Sequence, residues 1–394
     1  MGILYIIYVL LITIYVVSIV YLLAFRFGYS KRLPKAAKYS FSHKKLGVSV
    51  IVPVYNEDTA IIKNTFDSLK KQKNILIDLI VVIKEPRAGQ ISEIKNYGKV
   101  FNRLDAVIQK GKPSQNLAFI KGLEYAKREY TCILCSDVRI KPNGLTNILN
   151  TLKETKKDAG FGLLYPETRN TSAGRYTAMG KVFKQNITLK GRASLGLGWY
   201  IPGAFAVYRT TLLKSEFKNL LKNNFVSQDF GLSLRLLTNK YDKCYFAPEV
   251  VATELEKSTF SGWLLQQTRW FMGYFGMSTM LSDLFSKAKA QIKVGIVGLF
   301  FIWNIFPYTL FVGLIIGLVC LFFNPAFLIA YAIAYIAATL IILSLKDTRT
   351  YGLGYQLSYW FMTSLINSLA VPLSIYGFIF ANYNERKLYT LFKR

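Results

Sequence analysis

The stretch VSVIVPVYNED, residues 48–58, is a run of β-branched residues that ends in polar ones. Such a run is typical of a buried strand, and its polar end marks the strand's carboxyl terminus. A second run, DLIVVI at 78–83, follows the helix-like stretch 59–72, and another helix-like stretch covers 117–128. This alternation predicts an α/β fold with a parallel sheet covered on both faces, in which ligands bind at the carboxyl ends of strands.

Apolar segments flank the α/β region on both sides. Residues 3–25 are almost uncharged and are long enough to cross a bilayer as a helix. Three more apolar blocks lie at about 294–323, 326–345 and 356–383. We therefore predict α-helical transmembrane segments at both ends of a multi-pass cell-membrane protein.

The segment 258–285 is aromatic and amphipathic, which favours a helix lying along the membrane interface. Basic residues after the first span place the α/β domain in the cytoplasm. Four spans put the C-terminus outside, whereas its basic tail favours the inside, so the number of C-terminal spans stays open. The predicted division is an N-terminal transmembrane helix (1–26), a basic linker (27–46), the α/β domain (47–256), an interfacial region (257–290), about three transmembrane helices (291–385) and a basic tail (386–394).

The composition narrows the classes of partner and chemistry. Fifty Lys and Arg against 22 Asp and Glu give a net charge of +28. This charge suits nucleotide phosphates and anionic membrane lipids; no nucleic-acid-binding motif occurs, and we expect no nucleic-acid partner. The single histidine, His43, argues against Ser-His-Asp and multi-histidine metal sites. Cys132 and Cys135 lie on a predicted strand, where residues three apart point to opposite faces, which argues against a redox or zinc pair.

Candidate site residues follow the predicted strands. Tyr55 and Glu57 come after the first strand, where a nucleobase and ribose bind in such folds, although turn residues are also ordinary there. Asp137 emerges from the strand in ILCSDVRIKPNGL and suits Mg²⁺ or Mn²⁺ beside a diphosphate; its other interpretation is a turn residue. Lys112 precedes a helix and either pairs with a phosphate or lies exposed in a turn.

Two further groups come later in the chain. Asp229 opens a helix, as a cap or as the general base that takes a proton from an acceptor hydroxyl. Gln266 and Arg269 share a helix face, with Trp270 beside them. Arginine binds diphosphate oxygens and tryptophan stacks on sugar rings, but the same residues also occur as an interfacial aromatic belt with a snorkelling arginine.

The ordered motifs PVYNE, GK, SDV, SQD and QQTRW, followed by membrane helices, resemble the processive, membrane-integrated family 2 glycosyltransferases. This family includes the cellulose, chitin and hyaluronan synthases and the Nod-factor chitooligosaccharide synthases. The resemblance covers about Val48 to Trp270. It implies a GT-A fold, a UDP-sugar donor, a divalent metal, inversion at the anomeric carbon and a glycan acceptor.

The resemblance also implies roles for individual residues. Tyr55 and Glu57 border the nucleotide, Lys112 lies near the donor, Asp137 binds the metal and Asp229 is the catalytic base.

The later motifs complete these roles. Arg269 binds the donor diphosphate, Gln266 and Trp270 bind the acceptor, and Gly203 in IPGAFAVYR belongs to the acceptor-facing loop.

Three departures from the family pattern concern the donor. Cys135 stands where the family has the first acid of D-x-D, and Gln228 replaces the Glu of T-E-D. Lys84-Glu85-Pro86 stands where the family has Asp-Asp or Asp-Gly, so uracil recognition rests on Glu85 or is altered. Two alternatives stay open: transfer of one sugar to a lipid carrier or glycolipid, and a degenerate, non-catalytic membrane scaffold.

Overall fold

The computed structural model describes residues 2–30, 46–55, 57–111, 114–167, 170–198, 200–222, 228–239, 244–319 and 325–380. The chain forms two compact units. The α/β unit comprises Leu33–Tyr165, Tyr200–Leu255 and Tyr383–Arg394, and the helical unit comprises Met1–Arg32, Pro166–Trp199 and Glu256–Asn382. The sequence division into residues 47–256 did not separate 166–199, which the structure groups with the helices.

The elements of the α/β unit alternate along the chain as the sequence predicts. Its strands are β1 (Leu46–Tyr55), β2 (Ile75–Lys84), β3 (Arg103–Ile108), β4 (Tyr130–Leu134), β5 (Val138–Ile140), β6 (Ala159–Glu167), β7 (Phe205–Arg209) and β8 (Cys244–Leu255). Its helices are α2 (Thr59–Lys70), α3 (Gln90–Tyr97), α4 (Gln115–Tyr125), α5 (Gly144–Glu154), α8 (Thr210–Lys222) and α9 (Gln228–Asn239), with a 3₁₀ turn at Gly98–Val100.

The eight strands form one sheet in the order β3-β2-β1-β4-β7-β6-β8-β5. The first four are parallel, as predicted. The prediction of a parallel sheet throughout is wrong, because β7 runs antiparallel to β4 and β6, and β5 runs antiparallel to β8. The strands that pair antiparallel lack the long apolar run of β1, and their sequences did not predict the direction in which they run.

Strand β1 lies between β2 and β4 and is deeply buried. Val50, Ile51 and Val52 are fully buried. Gly122 of α4 packs directly on Ile51, whose side chain fills the space that a β-carbon on Gly122 would occupy. Phe66 of α2 belongs to the same core.

The helical unit contains mostly long apolar helices. They are α1 (Gly2–Ser30), α6 (Ser172–Phe183), α7 (Arg192–Ser194), α10 (Phe260–Lys287), α11 (Ala290–Phe300), α12 (Phe306–Val319), α13 (Ala326–Leu343) and α14 (Leu353–Phe380). A π-helical segment, Lys184–Gly191, joins α6 to α7, another, Phe301–Ile305, joins α11 to α12, and a 3₁₀ helix, Lys346–Tyr351, precedes α14.

The core of this unit is aromatic. Phe183, Phe306 and Trp360 are buried and meet edge to face, with ring centroids 5.3 and 5.4 Å apart. Gly28 of α1 and Gly191 pack with their backbones in contact, which leaves no room for a β-carbon at either position. Small residues at a helix crossing permit this approach.

Among the described residues, one helix, Tyr5–Ser30, is long and apolar enough to cross a membrane. The helices Ala290–Trp303 and Phe306–Ile316, which are bent by 42° relative to each other, form a second candidate span if the pair acts as one. The helix Leu328–Leu343 is also apolar, but it is shorter. The multi-pass arrangement therefore stays a prediction.

Candidate active site

The carboxyl edge of the parallel strands gathers several of the predicted site residues. In the parallel register Tyr55, the last residue of β1, is opposite Lys84, the last of β2. The end of β4, Leu134, is opposite Phe205, where the antiparallel strand β7 begins. The loops that contain Glu57, Glu85, Asp137 and Gly203 therefore all leave or enter the sheet at this edge.

Glu57 turns back onto the end of its own strand. Its Oε2 accepts a hydrogen bond from the backbone N–H of Tyr55. Burial raises the pKa of the Glu57 carboxyl, hydrogen bonds from Tyr55 and Ser136 oppose the rise, and the negative charge of Asp137 adds to it. The charge of the second predicted carboxylate of this edge is thus felt at Glu57.

The turn that presents Asp137 is fixed at three points. Thr65 of α2 donates from Oγ1 to the carbonyl of Ser136 at 2.6 Å. The N–H of Val138 donates to the carbonyl of Cys135 at 3.2 Å, and the N–H of Leu255 donates to that of Asp137 at 3.4 Å. This bonding holds Asp137 at the mouth of the site.

Cys135 occupies the position of the missing first acid as a neutral thiol. Its N–H donates to the carbonyl of Ala204 at 2.9 Å, and Gln115 donates from Nε2 to its Sγ at 3.1 Å. Burial raises the pKa of the thiol well above its usual range, and the charges of Asp137 and Glu254 raise it further.

Gly203 is in contact with Asp229. A β-carbon on Gly203 would lie 2.6 Å from Cβ and 2.9 Å from Oδ2 of Asp229. Ser233 ties the two segments together, because it accepts from the N–H of Ile201 at 2.9 Å and donates to the carbonyl of Asp229 at 2.6 Å. The predicted acceptor loop and the predicted base therefore meet.

Glu85 stands apart from this group. It follows β2 with a positive φ of 54°, its side chain is 61% exposed, and it pairs with Lys84 at 3.5 Å. Lys112 lies outside the described residues.

Sequence reasoning missed two residues at this edge. Buried Gln90 accepts from the N–H of Arg87 at 3.1 Å and donates to the carbonyl of Glu57 at 3.4 Å, so it links the loops after β1 and β2. Glu254 lies opposite Val138 in the sheet. Neither belongs to a motif: hydrogen bonds reveal Gln90 and strand pairing reveals Glu254.

The carboxylates suit a shared metal site. Among the described residues, no group of three or more His, Cys, Asp or Glu side chains is placed to hold an ion. Mg²⁺ and Mn²⁺ at phosphate-transfer sites take one or two carboxylates, and the substrate's phosphates and water supply the rest. Asp137, with Glu57 nearby, matches that need.

The remaining predicted residues belong to α10 of the helical unit. Gln266 and Trp270 line a cavity in this unit, and Arg269 is half-buried on the same helix. The ammonium group of Lys184 lies 3.7 Å from the centroid of the Trp270 ring. The structure thus brings Gln266 and Trp270 together.

Residues 49–217 match the sequence profile described as glycosyl transferase family 2. This stretch of the chain is similar to family 2 glycosyltransferases. It extends from β1 into α8 and includes the candidate residues from Tyr55 to Gly203.

A relative is similar over part of the chain. A probable glycosyltransferase of Sulfolobus acidocaldarius is 23% identical over 239 residues, which are 57% of this chain and 49% of that protein. The chain thus spans about half the length of this relative.

A solved structure shares the fold of this chain. The mannosyltransferase PcManGT of Pyrobaculum calidifontis, solved with GDP-Man and Mn²⁺, aligns with a TM-score of 0.62 at 16% identity over 91% of this chain and 98% of its own. The predicted GT-A-like α/β fold is confirmed. GalNAc-T7, solved with UDP, GalNAc and Mn²⁺, aligns with a TM-score of 0.38 at 12% identity over 54% of this chain and 43% of its own, too low to indicate a common fold.

Proposed function

We propose that the protein is an inverting glycosyltransferase that moves a hexose from a nucleotide-sugar donor to a hydroxyl of a glycan acceptor. One observation supports this most strongly. Gly203 touches the carboxylate of Asp229 on one side, and its carbonyl lies 4.0 Å from Sγ of Cys135, two residues before Asp137, on the other. The proposed base and the proposed donor-binding turn thus flank one loop.

Asp229 acts as the general base. A half-buried carboxylate at the start of α9 is able to accept the proton of an acceptor hydroxyl as that oxygen attacks the anomeric carbon. One displacement with no covalent intermediate inverts the configuration at this carbon. Contact with Gly203 and the hydrogen bond from Ser233 hold Asp229 in place.

Asp137 and Glu57 are the residues that would hold Mg²⁺ or Mn²⁺. The ion, when bound, would neutralise the charge that builds up on the departing nucleoside diphosphate. The negative charge of Asp137 adds to the raised pKa of Glu57, and a divalent cation would relieve this repulsion. Tyr55 and Glu85 are proposed to border the nucleotide, and Lys112 the donor.

The identity of the nucleotide rests on two sources that differ. The resemblance to cellulose and chitin synthases favours a UDP-sugar, whereas PcManGT, which shares the fold, was solved with GDP-Man and Mn²⁺. Cys135 and Lys84-Glu85-Pro86 depart from the UDP-sugar pattern in two places. Both donor classes therefore belong in any test.

The helical unit is proposed to anchor the enzyme in the cell membrane, with the catalytic domain in the cytoplasm. Tyr5–Ser30 supplies one span, and the apolar helices α11 to α14 supply the rest. Arg269 is proposed to bind the diphosphate, and Gln266 and Trp270 the acceptor. We propose that the protein acts in the same way as the processive synthases, by extending a glycan.

A second candidate is transfer of a single sugar to a lipid carrier or glycolipid. The cavity beside Gln266 and Trp270 favours it, because polar and charged side chains line a space inside an otherwise apolar unit. The product separates the two candidates: a lipid-linked monosaccharide supports the second, and a growing glycan supports the first.

The test is nucleoside-diphosphate release by the purified protein in nanodiscs, with Mg²⁺ or Mn²⁺ and a panel of UDP-, GDP- and dTDP-sugars. We expect metal-dependent release from one donor, and loss of release in Asp137→Asn. Asp67→Asn, which changes a half-exposed carboxylate on α2 that pairs with Lys70, is the matched control and should retain full activity. Release from none of the donors, with acceptor lipids present, would favour the scaffold alternative.

A further inference from the structure

The cavity of the helical unit has a lining unlike the rest of that unit. It lies between α6, α10, α14 and the junction of α11 with α12, and is bordered by four of the chain's five tryptophans, Trp263, Trp270, Trp303 and Trp360. Aromatic faces of this kind pack against the rings and methylene groups of amphipathic ligands.

Charged side chains also line the cavity. The described lining residues include two lysines, Lys181 and Lys184, and one carboxylate, Glu256. The Lys181 ammonium lies 3.6 Å from Glu256. The Lys184 ammonium lies 3.7 Å from the centroid of Trp270 and 5.3 Å from that of Trp303, an arrangement that holds a cation in place.

Two buried polar groups on α14 complete the lining. Trp360 and Asn367 are 1% and 3% exposed and both border the cavity. Within the described parts of the chain, Nε1 of Trp360 and Oδ1 of Asn367 have no hydrogen-bond partner. A buried polar atom without a partner costs roughly 1–3 kcal/mol. Such a cost is tolerated where a ligand supplies the missing hydrogen bond.

The outer surface of the same unit is apolar. Leu357, Phe361 and Leu369 of α14 are exposed, on the helix whose other residues line the cavity. Ile333 and Leu340 of α13 are exposed as well. A hydrocarbon chain is favourable against such a surface, whereas a free, water-soluble anion gains nothing there.

We infer that this cavity binds the phosphate-bearing head group of a lipid, with Lys184 on the phosphate and Trp360 and Asn367 on its polar substituents. Such a lipid would be the acceptor in the second candidate function. The inference therefore names a substrate class for the proposed function and rests on it. Lys184 is a binding residue in this account, and Trp270 positions it.

The test measures binding without any donor sugar. The full-length protein in nanodiscs is titrated with dodecyl phosphate, inorganic phosphate and dodecyl glucoside while tryptophan fluorescence is followed, which reports on the cavity because it contains four of the five tryptophans. We expect saturable binding of dodecyl phosphate, with both other probes at least about tenfold weaker.

Variants identify the residues. Lys184→Gln should weaken dodecyl phosphate binding about tenfold or more, and Lys184→Arg should restore most of it. Lys153→Gln, an exposed lysine on α5, is the matched control and should bind as the wild type does. Asn367→Leu should weaken binding while leaving the melting temperature unchanged or higher, which separates a ligand role from a structural one.

Three results would overturn the inference: equal affinity in Lys184→Gln and the wild type, equal affinity for inorganic phosphate, or equal affinity for the neutral glucoside. These results are independent of the proposed function. If the protein releases nucleoside diphosphate but does not bind dodecyl phosphate, only this inference is overturned. If it binds dodecyl phosphate but releases nucleoside diphosphate from no donor, only the proposed enzymatic function is overturned.

Discussion

The α-carbon of Gly203 lies against the carboxylate of Asp229, so that a β-carbon at position 203 would be 2.9 Å from Oδ2. The glycine therefore sets how far Asp229 projects into the site. The contact joins the loop before β7 to the first turn of α9, two segments that are separated in the sequence.

Gly203→Ala should displace the Asp229 carboxylate. We expect kcat to fall roughly 100-fold, because a shift of about 1 Å in a catalytic group costs that much. Donor affinity should stay near the wild-type value, since the donor-binding turn is held by separate bonds. Steady-state kinetics and nucleotide titration measure the two effects.

Gly354→Ala is the matched control for this variant. Nothing lies within 4 Å of the β-carbon it adds, so it should retain wild-type kinetics and stability. An unchanged kcat in Gly203→Ala would show that the contact does not position Asp229.

Cys135→Asp should make the protein more dependent on a divalent ion. Burial, together with the charges of Asp137 and Glu254, raises the pKa of the thiol at this position, and both effects oppose the ionisation of a new carboxylate. For each unit by which folding raises the pKa of the new carboxylate, the folded state loses about 1.4 kcal/mol of stability when that group is ionised. We expect a lower melting temperature without metal and a larger rise on adding Mn²⁺, by calorimetry at pH 7.

Cys135→Ser tests whether charge is the cause, because it keeps the size and neutrality of the thiol. It should show the wild-type response to Mn²⁺. The prediction fails if the serine and aspartate variants respond equally.

Glu57→Gln should change the pH dependence of stability. The pKa of Glu57 rises on folding from its ordinary 4.5, so the folded state binds this proton more tightly than the unfolded state. Its contribution to the free energy of unfolding is full below pH 4.5 and is lost as pH rises through the folded pKa. Between pH 4.5 and 8, denaturant unfolding without metal should therefore show the free energy of unfolding of Glu57→Gln increasing relative to that of the wild type. A constant difference across that range would exclude the effect.

Asp78→Asn should destabilise the sheet without altering the site. Arg128 donates to both Asp78 oxygens, at 2.7 and 2.8 Å, and Asn102 donates at 2.8 Å. Burial raises the pKa of Asp78, but these hydrogen bonds and the Arg128 charge outweigh burial and hold it below its ordinary 3.8.

Because Arg128 is partly exposed, we expect Asp78→Asn to cost about 1–3 kcal/mol at pH 7. The contribution of Asp78 is present above pH 3.8 and is lost as pH falls through its lowered pKa. Asp67→Asn, whose ion pair with Lys70 is half-exposed, should cost about 0–0.5 kcal/mol in the same denaturant titration. Equal losses in the two variants would contradict the account.

Much of the α/β unit was predictable, because its strands carry strong local signals. The apolar run of β1 and the polar residues after it predicted a buried strand with a ligand-binding end. The resemblance implied Asp137 and Asp229 from motif order. It did not reveal that Gly203 touches Asp229, since that contact depends on where α9 begins relative to a distant loop.

The rest depends on long-range packing. Residues 166–199 contain no long apolar run, so their grouping with the helices follows from contacts such as that between Gly28 and Gly191. Lys184 reads as an ordinary helical lysine until the structure places it over Trp270. The antiparallel direction of β7 and the position of Glu254 opposite Val138 depend on strand pairing. The sequences of short strands do not predict which strands pair.

Sugar transfer by Asp229→Asn tests the central claim most directly. With the donor identified by nucleotide release, product formation and donor affinity are measured for this variant and the wild type. The account predicts donor affinity within about twofold of the wild type and transfer lowered by about 10²–10⁴-fold, the range for loss of a general base. Transfer at the wild-type rate would contradict it, because Asp229 would then not remove the acceptor's proton.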